Sequence, residues 1–221
     1  FPMSIYTGKF ITLEGGEGAG KSTQLSVIKS EIEKIGIEVV VTREPGGTPR
    51  AEAIRQLLLT RDTEPMPESC ELLLMFAARA THLHNLIVPA LRRGAWVVCD
   101  RFTDASYAYQ GYGRGLSLEQ IKNLEQWVQQ DIRPDLTLLL DVSVEVAMQR
   151  ARLRNQAQGL GEGDRFEIEQ SAFFERVRHG YLQRAQAEPN RFKVVDASLD
   201  IDRVSEATRR VVRDFIQQVA R

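Results

Sequence analysis

Short apolar runs that lack polar alternation recur along this chain, and polar or glycine-containing segments separate them. A strand that is buried on both faces of a parallel sheet shows this pattern, because neither of its faces meets water. The pattern therefore predicts strands over Lys9–Glu14, Glu38–Arg43, Ala95–Asp100, Leu136–Val142 and Phe192–Ala197.

Stretches with helical periodicity lie between these runs. The first is predicted from about Gly20 to Ile35, with Gly36 placed as a C-terminal stop. Its apolar stripe consists of Leu25, Ile28, Ile32 and Ile35. Further helices are predicted over Arg50–Leu59, Glu68–Leu91, Leu118–Gln130, Val144–Arg154, Glu169–Gln186 and Asp202–Ala220. We expect Pro89 to kink or end the helix over Glu68–Leu91, because proline has no backbone N–H to donate.

The alternation of strands and helices predicts an α/β fold of three layers, in which a parallel sheet carries helices on both faces. The chain shows no internal repeat and no linker between domains. Its length of 221 residues is ordinary for an α/β sheet with a lid. We therefore expect a single domain over residues 1–221.

Charge and cysteine content narrow the partners and the compartment. Lysine and arginine total 29 against 30 acidic residues, so no basic excess indicates a nucleic-acid partner. Cys70 and Cys99 lie in apolar runs without metal-ligand spacing and are predicted to be buried free thiols in a reducing compartment. The start of the chain shows no signal-peptide pattern, and no apolar run reaches membrane-spanning length. We expect a cytoplasmic protein without a membrane partner.

The glycine-rich segment Gly15–Ser22 (GGEGAGKS) matches the phosphate-binding pattern G-x-x-x-x-G-K-[ST]. It follows an apolar strand and opens an amphipathic helix, the two contexts that the pattern requires. Backbone N–H groups of such a loop turn towards phosphate oxygens, and the helix N-terminus faces the same charge. Lys21 is placed to reach the β- and γ-phosphates, and Ser22 to coordinate Mg²⁺. The predicted nucleotide-binding residues are Gly15, Gly16, Glu17, Gly18, Ala19, Gly20, Lys21, Ser22 and Thr23.

Asp100 and Arg101 follow the apolar run Trp96–Cys99. The acid is placed to bind Mg²⁺ directly or through water, and the arginine beside it is placed to grip a second phosphate. The alternative is that Arg101 is a solvated charge at a strand end. The D-x-x-G and N-K-x-D motifs of regulatory GTPases do not occur in the sequence. These features favour phosphoryl transfer between two anionic ligands.

Four further strings extend the pattern over nearly the whole chain. They are Thr42–Thr48 (TREPGGT), Asp100–Phe102 (DRF), Ser106–Gly111 (SYAYQG) and Arg133–Thr137 (RPDLT). Together with the glycine loop they resemble bacterial thymidylate kinases, of the P-loop nucleoside monophosphate kinase superfamily. The resemblance implies a five-stranded parallel sheet surrounded by helices and a homodimer. It also implies transfer of the γ-phosphoryl group of ATP to dTMP with Mg²⁺, giving dTDP for dTTP synthesis.

The resemblance assigns the phosphate and sugar contacts of the acceptor residue by residue. It implies that Arg43 and Arg55 lie beside the acceptor phosphate and that Arg101 is its main clamp. Glu17 matches an acid that contacts the sugar 3′-hydroxyl or organises Mg²⁺ and its waters. Because a phosphomonoester is largely deprotonated at neutral pH, no general base is predicted.

The base contacts are likewise implied by the resemblance. Arg79 matches the arginine that donates to thymine O4, Ser106 and Gln110 match polar contacts on the base edge, and Tyr109 matches an aromatic packed under the deoxyribose. The family usually has a phenylalanine four residues before the base-reading arginine.

This chain has Met75 at that position and Phe76 one residue later. Spacings of three and four both share a helix face, so either Met75 or Phe76 is able to cover the base. Both are alternatively core residues.

The segment Asn155–Gly163 (NQAQGLGEG) is rich in glycine and flanked by arginines, which predicts a short arginine-rich lid at about residues 152–167. Since the glycine loop carries Glu17 where some relatives have an arginine, the transition-state cation is expected from the lid. The candidates are Arg154 and Arg165, with Arg150 as a third.

Two alternative functions remain open at this point. A deoxynucleoside kinase would phosphorylate a sugar hydroxyl and would need a carboxylate base, for which Glu44 is the candidate. A nucleotide-binding module would bind the donor without transferring its phosphoryl group.

Overall fold

The computed structural model describes residues 7–60, 64–157 and 171–220, and it describes residues 154–157 by their helical backbone alone. The helices within these ranges include none that is long and apolar enough to cross a membrane.

A five-stranded parallel sheet forms the centre of the structure. Its strands are β1 (Phe10–Gly15), β2 (Val39–Arg43), β3 (Trp96–Asp100), β4 (Leu136–Asp141) and β5 (Phe192–Asp196), in the spatial order β2-β3-β1-β4-β5. Each predicted strand is confirmed to within one residue at either end. The three inner strands are almost entirely buried, whereas the edge strands β2 and β5 are partly exposed, which explains why the apolar runs of the inner strands are the most continuous.

Helices cover both faces of the sheet, as the alternation of elements predicts. They are α1 (Lys21–Glu33), α2 (Pro49–Leu59), α3 (Glu68–His82), α4 (Val88–Arg92), α5 (Thr103–Ser106), α6 (Leu118–Gln129), α7 (Val144–Ala157), α8 (Ser171–Ala187) and α9 (Ile201–Val219). Ile28 and Ile32 of α1 pack against Val212 and Phe215 of α9 in the largest core cluster. Ile35, predicted on the same stripe, lies beyond the end of α1 and is 46% exposed.

Pro89 does not end the long third helix. The chain stays helical from Glu68 to Arg92 through a π-helical turn over Leu83–Ile87, in which the Val88 N–H bonds to the carbonyl of Leu83. The wider turn lies directly before the proline, and Pro89 itself falls in the first turn of α4, where its missing N–H costs little.

The sequence analysis did not predict the helical segment Thr103–Gly113. The chain is helical over Thr103–Ser106 and continues as a π-helix over Tyr107–Gly113. Gly111 and Gly113 lower the helix propensity of this segment, and tertiary packing overrides that preference. Gly111 approaches Leu118 and Ile121 so closely that a side chain at this position would clash with them.

The register of the sheet aligns the carboxyl ends of β1, β2 and β3. Asp100 at the end of β3 pairs with Leu13 of β1 and with Arg43 at the end of β2. Strand β1 is followed in the chain by β2 on one side of the sheet, while β4 flanks it on the other side. Ligands of open parallel sheets bind at such a switch point, outside the carboxyl ends of the strands.

Candidate active site

One cavity of about 450 Å³ opens at the carboxyl ends of β1, β2 and β3, and we call it the main cavity. Its wall joins the end of the glycine loop to the predicted acceptor side. The glycine-loop side includes Glu17, Gly18, Gly20, Lys21 and Ser22. The opposite side includes Arg43, Arg55, Met75, Arg79, Arg101, Ser106, Tyr109 and Gln110.

The glycine loop is held in a conformation that suits glycine. Gly18 and Gly20 adopt positive φ values of 75° and 87°, which side chains with a Cβ rarely adopt. Gly18 also lies against the backbone carbonyl of Ala147 in α7, so a Cβ there would clash. The loop therefore presents main chain instead of side chains to the start of α1.

Lys21, at the first position of α1, folds back over the loop. Its Nζ donates to the carbonyls of Gly15 and Gly16, at 3.2 and 3.0 Å. Burial and the positive charge of Arg101 lower the pKa of Lys21, while Asp100 and Glu17 oppose that shift. A lysine in this position has a flexible stem that reaches either the loop carbonyls or phosphate oxygens in the main cavity.

The remaining predicted loop residues take three different positions. Gly15 and Gly16 line a second cavity of about 210 Å³ between the loop, β4, α7 and α8, and Glu17 lines both this cavity and the main cavity. Ala19 is buried in the core cluster that includes α1. Thr23 is exposed on α1 and does not line either of these cavities.

Asp100 and Ser22 supply oxygen atoms at the base of the main cavity. Within the described ranges, the Oδ1 atom of Asp100 is buried and has no hydrogen-bond partner. Carboxylate and hydroxyl oxygens are ligands that Mg²⁺ prefers, and Mg²⁺ in phosphotransferases needs only one or two protein ligands besides phosphate and water. These residues fit the ion. Clusters of three or more acidic, histidine or cysteine ligands are not found among the described residues.

Arg101 occupies the centre of the site with a constrained backbone. Its φ of 64° lies in the left-handed region, which costs a non-glycine residue roughly 1 kcal/mol or more. Its Nη2 donates to the Tyr109 hydroxyl at 2.9 Å and to Glu17 at 3.3 Å. Its Nε is buried and has no partner among the residues that the structure describes. The guanidinium is thus fixed on one edge and leaves a donor for an anion.

Arg79 is held from behind by a buried chain of side chains. Its Nε donates to Glu44 Oε2 at 2.7 Å, and Nη2 donates to Ser106 Oγ at 3.1 Å. The other oxygen of Glu44 contacts His82 Nδ1 at 2.9 Å, and His82 Nε2 contacts the Thr42 hydroxyl at 2.8 Å. In the described part of the chain, the Nη1 atom of Arg79 is buried without a partner. Arg79 therefore has a fixed orientation and one donor left over.

Arg43 and Arg55 complete the cationic wall with weaker restraint. Arg43 is half exposed and pairs with Glu52 at 2.8 Å, and Arg55 donates to the carbonyl of Pro45 at 3.0 Å. Glu52 also accepts from the Gly47 N–H, which together with the charge of Arg43 lowers the pKa of Glu52. The structure thus brings Arg43, Arg55, Arg79 and Arg101 together around one space.

Met75 and Phe76 have different environments. Met75 lines the main cavity and is partly exposed. Phe76 does not line it: the ring is buried with Leu72, Tyr107 and Ile121, and the Arg79 guanidinium lies 4.6 Å above it. Of the two residues proposed to cover the base, the structure places only Met75 on the cavity wall, and Phe76 is a core residue beneath Arg79.

The polar residues predicted for the base edge lie on the helical segment that the sequence analysis missed. Ser106, Tyr109 and Gln110 all line the main cavity, and burial raises the pKa of the Tyr109 hydroxyl. The amide nitrogen of Gln110 donates to Glu71 Oε1 at 2.8 Å.

The predicted lid lies mostly outside the described residues. Arg165 and the side chain of Arg154 are not among them. Arg150, the third candidate, lines the main cavity and donates to the carbonyl of Ala197 at 2.6 Å and to that of Ser198 at 3.3 Å. Arg150 thus joins α7 to the segment that follows β5.

Glu14 is a further buried acid beside the site that the sequence analysis did not single out. Its Oε1 accepts from the Phe102 N–H at 2.7 Å, and its Oε2 accepts from the Tyr181 hydroxyl at 2.9 Å. Burial, with a smaller contribution from the charge of Asp104, raises the pKa of Glu14 to about 8. Partners so distant in sequence leave no local signal, which also applies to Glu71 and His82. Glu44 was named from the sequence only as a candidate base.

A parallel sheet in this strand order, with a glycine loop after its central strand and a facing arginine-lined pocket, is the architecture of a P-loop phosphotransferase. A model of the family described as thymidylate kinase matches residues 13–208. A protein named thymidylate kinase from Chromohalobacter salexigens is 60% identical over 198 residues, covering 89% of this chain and 91% of that protein. One of the same name from Pseudomonas putida is 58% identical over 198 residues, covering 90% and 91%.

The fold agrees with these matches. The crystal structure of thymidylate kinase from Ehrlichia chaffeensis aligns with a TM-score of 0.69 at 34% identity, covering 85% of this chain and 92% of that one. The chain belongs to the thymidylate kinase family.

Proposed function

We propose that this chain transfers the γ-phosphoryl group of ATP to dTMP, giving dTDP for dTTP synthesis. The observation that carries the proposal is the single main cavity in which Lys21 and Ser22 of the glycine loop face Arg79 and Arg101. A donor phosphate on the first side and an acceptor phosphate on the second would meet within one space. Transfer of a phosphoryl group depends mainly on such positioning and on charge neutralisation.

The acceptor side is built for an anion. The buried Nε of Arg101 has no partner among residues 7–60, 64–157 and 171–220, and Arg43 and Arg55 add positive charge beside it. A phosphate monoester brings its own nucleophilic oxygen, deprotonated near neutral pH, so the site needs no general base. Tyr109, fixed by its hydrogen bond to Arg101, would offer a flat surface for the sugar, and Glu17, which lines the same cavity, would contact the 3′-hydroxyl.

Asp100 and Ser22 would hold Mg²⁺. When bound, the ion neutralises charge on the transferred phosphoryl group and orients it. Lys21 would leave the carbonyls of Gly15 and Gly16 and bind the donor phosphates. The cation from the lid, for which Arg154 and Arg165 are the candidates, stays a proposal from the sequence.

The deoxynucleoside kinase alternative required Glu44 as a base. Both oxygens of Glu44 are already engaged, one by Arg79 and one by His82, and the residue is buried. This arrangement supports a role for Glu44 as the counter-ion of Arg79.

A coupled assay of ADP release tests the function. It should be run with dTMP, dUMP, UMP, dCMP, AMP and GMP, and with thymidine as the hydroxyl acceptor. We expect the highest kcat/KM with dTMP and no turnover of thymidine. Turnover of thymidine but not of dTMP would establish the deoxynucleoside kinase instead. Binding of ATP without transfer to any of these acceptors would contradict both enzymes.

We also infer that the chain forms a homodimer in the cytoplasm. Large apolar side chains are exposed on three neighbouring helices: Leu57 of α2 by 60%, Leu73 of α3 by 57% and Trp127 of α6 by 79%. Exposed apolar side chains on adjacent helices support a partner surface. Cys99 is buried as predicted, whereas Cys70 is exposed, and the prediction that it is buried was wrong. Both cysteines are free thiols, which supports a reducing compartment. Light scattering on the purified protein should give twice the mass of one chain.

A further inference from the structure

The amide group of Gln110 is oriented by a carboxylate behind the main cavity. Gln110 is 1% exposed and its Nε2 donates to Glu71 Oε1 at 2.8 Å, while Glu71 itself is fully buried in α3. The guanidinium of Arg114 donates to both oxygens of Glu71, at 3.4 and 3.3 Å. A carboxylate paired with a guanidinium accepts hydrogen bonds and donates none.

This pairing decides which end of the amide faces the ligand. Since Glu71 only accepts, it binds the NH₂ group of Gln110, and the carbonyl oxygen must point elsewhere. In the part of the chain that the structure describes, the Gln110 Oε1 atom has no hydrogen-bond partner, and it is not sealed in the interior. Because Gln110 lines the main cavity, its acceptor is the group that remains for a ligand there.

Arg79 is likewise held by a buried carboxylate, Glu44. Arg79 leaves its Nη1 atom without a partner within the described ranges, and Glu44 holds its other edge. Arg79 and Gln110 are both linked to the helical segment Thr103–Gly113, Arg79 through Ser106 and Gln110 as a member one turn later. The cavity wall therefore includes the acceptor oxygen of Gln110 and the guanidinium of Arg79, whose buried Nη1 lies just beneath the surface, and a buried carboxylate holds each residue from behind.

The 4-oxo group and N3–H of thymine or uracil complement this pair, whereas cytosine offers a donor at position 4 and an acceptor at N3. We propose that Glu71 is a specificity-determining positioning residue, which selects imide pyrimidines over cytosine by holding the Gln110 carbonyl oxygen towards the base. The inference rests on the proposed function, because it presumes a pyrimidine monophosphate in the main cavity. A site built to pair with a polar edge rejects the mismatched edge strongly, since its own buried groups are then left unpaired.

The variant Glu71→Gln tests the proposal, because a glutamine at this position accepts or donates and no longer fixes the amide of Gln110. The kcat/KM ratio of dTMP to dCMP should fall by about tenfold or more. The ratio of dTMP to dUMP should stay within about twofold, since both bases carry the same imide edge. In a Gln110→Ala background the same Glu71 substitution should leave the dTMP to dCMP ratio unchanged, because the coupling has been removed.

Glu125→Gln is the matched control. Glu125 is also a buried carboxylate, bonded to Tyr107 at 2.6 Å and paired with Arg133 at 3.0 Å, but it does not contact Gln110. It should leave the dTMP to dCMP ratio as in the parent protein. If both variants change this ratio equally, or if neither does, the inference is overturned.

If the Glu71→Gln variant does not fold, the Glu71→Asp variant tests the same proposal. It keeps the charge opposite Arg114 and withdraws the acceptor from Gln110 by about one bond length, roughly 1.5 Å. A fall of about threefold or more in the same ratio supports the proposal, and an unchanged ratio overturns it. A parent protein that does not phosphorylate dTMP would instead refute the proposed function, so the two failures are distinguishable.

Discussion

The two sides of the main cavity are built in different ways. The donor side consists of consecutive residues, Gly15–Ser22, and the Lys21 side chain bonds to main-chain carbonyls of the same loop. The acceptor side consists of side chains from β2, α2, α3, the end of β3 and the segment Thr103–Gly113. Buried carboxylates hold two of them, Arg79 and Gln110. Glu44 and Arg79 are 35 positions apart in sequence, and Glu71 and Gln110 are 39 apart.

This difference separates phosphate binding, which is common to all nucleotides, from recognition of one base. A backbone cradle binds phosphate oxygens, which all nucleoside triphosphates share. A base is recognised by a few oriented donors and acceptors, and orientation requires a second layer of partners. Substitutions on the donor side should therefore reduce turnover of every acceptor, whereas substitutions behind the acceptor side should change affinity and preference.

Lys21→Ala should show the largest effect. The variant removes the only cationic side chain of the segment Gly15–Ser22. Turnover of dTMP should fall by roughly a hundredfold or more in the coupled assay, with the melting temperature almost unchanged. Lys29→Ala is the control, because Lys29 lies on the same helix in an exposed pair with Glu33. Near-normal activity of the Lys21 variant would refute the assignment of the donor side.

Glu44→Gln should have the next largest effect, on the acceptor side. Arg79 would remain buried without its counter-ion, which costs about 3 kcal/mol of unfolding free energy and frees the arginine to turn. The KM for dTMP should rise by about tenfold or more, with a smaller change in kcat. Chemical denaturation and initial-rate kinetics measure the two effects.

The exposed pair Glu38–Arg93 provides the comparison for this variant. Its atoms are as close as those of the buried pair, at 2.7 Å, but the two side chains are 60% and 49% exposed. Glu38→Gln should leave both stability and KM unchanged, since solvent screens such pairs. If the two variants behave alike, burial is not what makes the Glu44–Arg79 pair important.

The same difference explains how much the sequence predicted. The strands were predicted to within one residue, and the glycine loop was found as a motif, because a strand and a loop motif each consist of consecutive residues. Arg43, Arg79 and Arg101 were assigned by resemblance, and the structure brings them to one cavity. The buried carboxylates behind this side were not found in the same way: Glu44 was named from the sequence only as a candidate base, and Glu71 was not singled out. Their partners lie 35 and 39 positions away, so no local pattern reveals the pairing.

The choice between Met75 and Phe76 shows the same limit. Helical spacing places both on the face of α3 that carries Arg79, and the rotation of the helix against its neighbours decides between them. Phe76 packs on Tyr107 and Ile121, which belong to the segment Thr103–Gly113 and to α6. Because that segment was not predicted as a helix, the sequence contained no basis for assigning the aromatic ring to the core.

Glu14→Gln should show the smallest effect and concerns the junction of the two sides. Glu14 precedes the glycine loop and accepts from the Phe102 N–H, next to Arg101. Its pKa is about 8 in the folded protein against an ordinary value of 4.5. Between these values the folded chain keeps a proton that the unfolded chain has released, so the unfolding free energy falls as pH rises. Relative to the variant, the parent protein should lose about 1 kcal/mol from pH 6 to pH 7.

Denaturant titrations at the two pH values measure this difference, and Glu31→Gln is the control. Arg213 and Lys34 lower the pKa of Glu31, so that carboxylate is ionised in both folded and unfolded chains at pH 6 and above. Its substitution should change stability equally at the two pH values, because no proton is taken up or released in that window. Parallel profiles for the parent and Glu14→Gln would mean that Glu14 is ionised in the folded state. The Phe102 N–H and the Tyr181 hydroxyl would then donate to a charged Glu14 carboxylate. Glu14, which lies between the donor side and the acceptor side, would be an anion instead of a neutral acid.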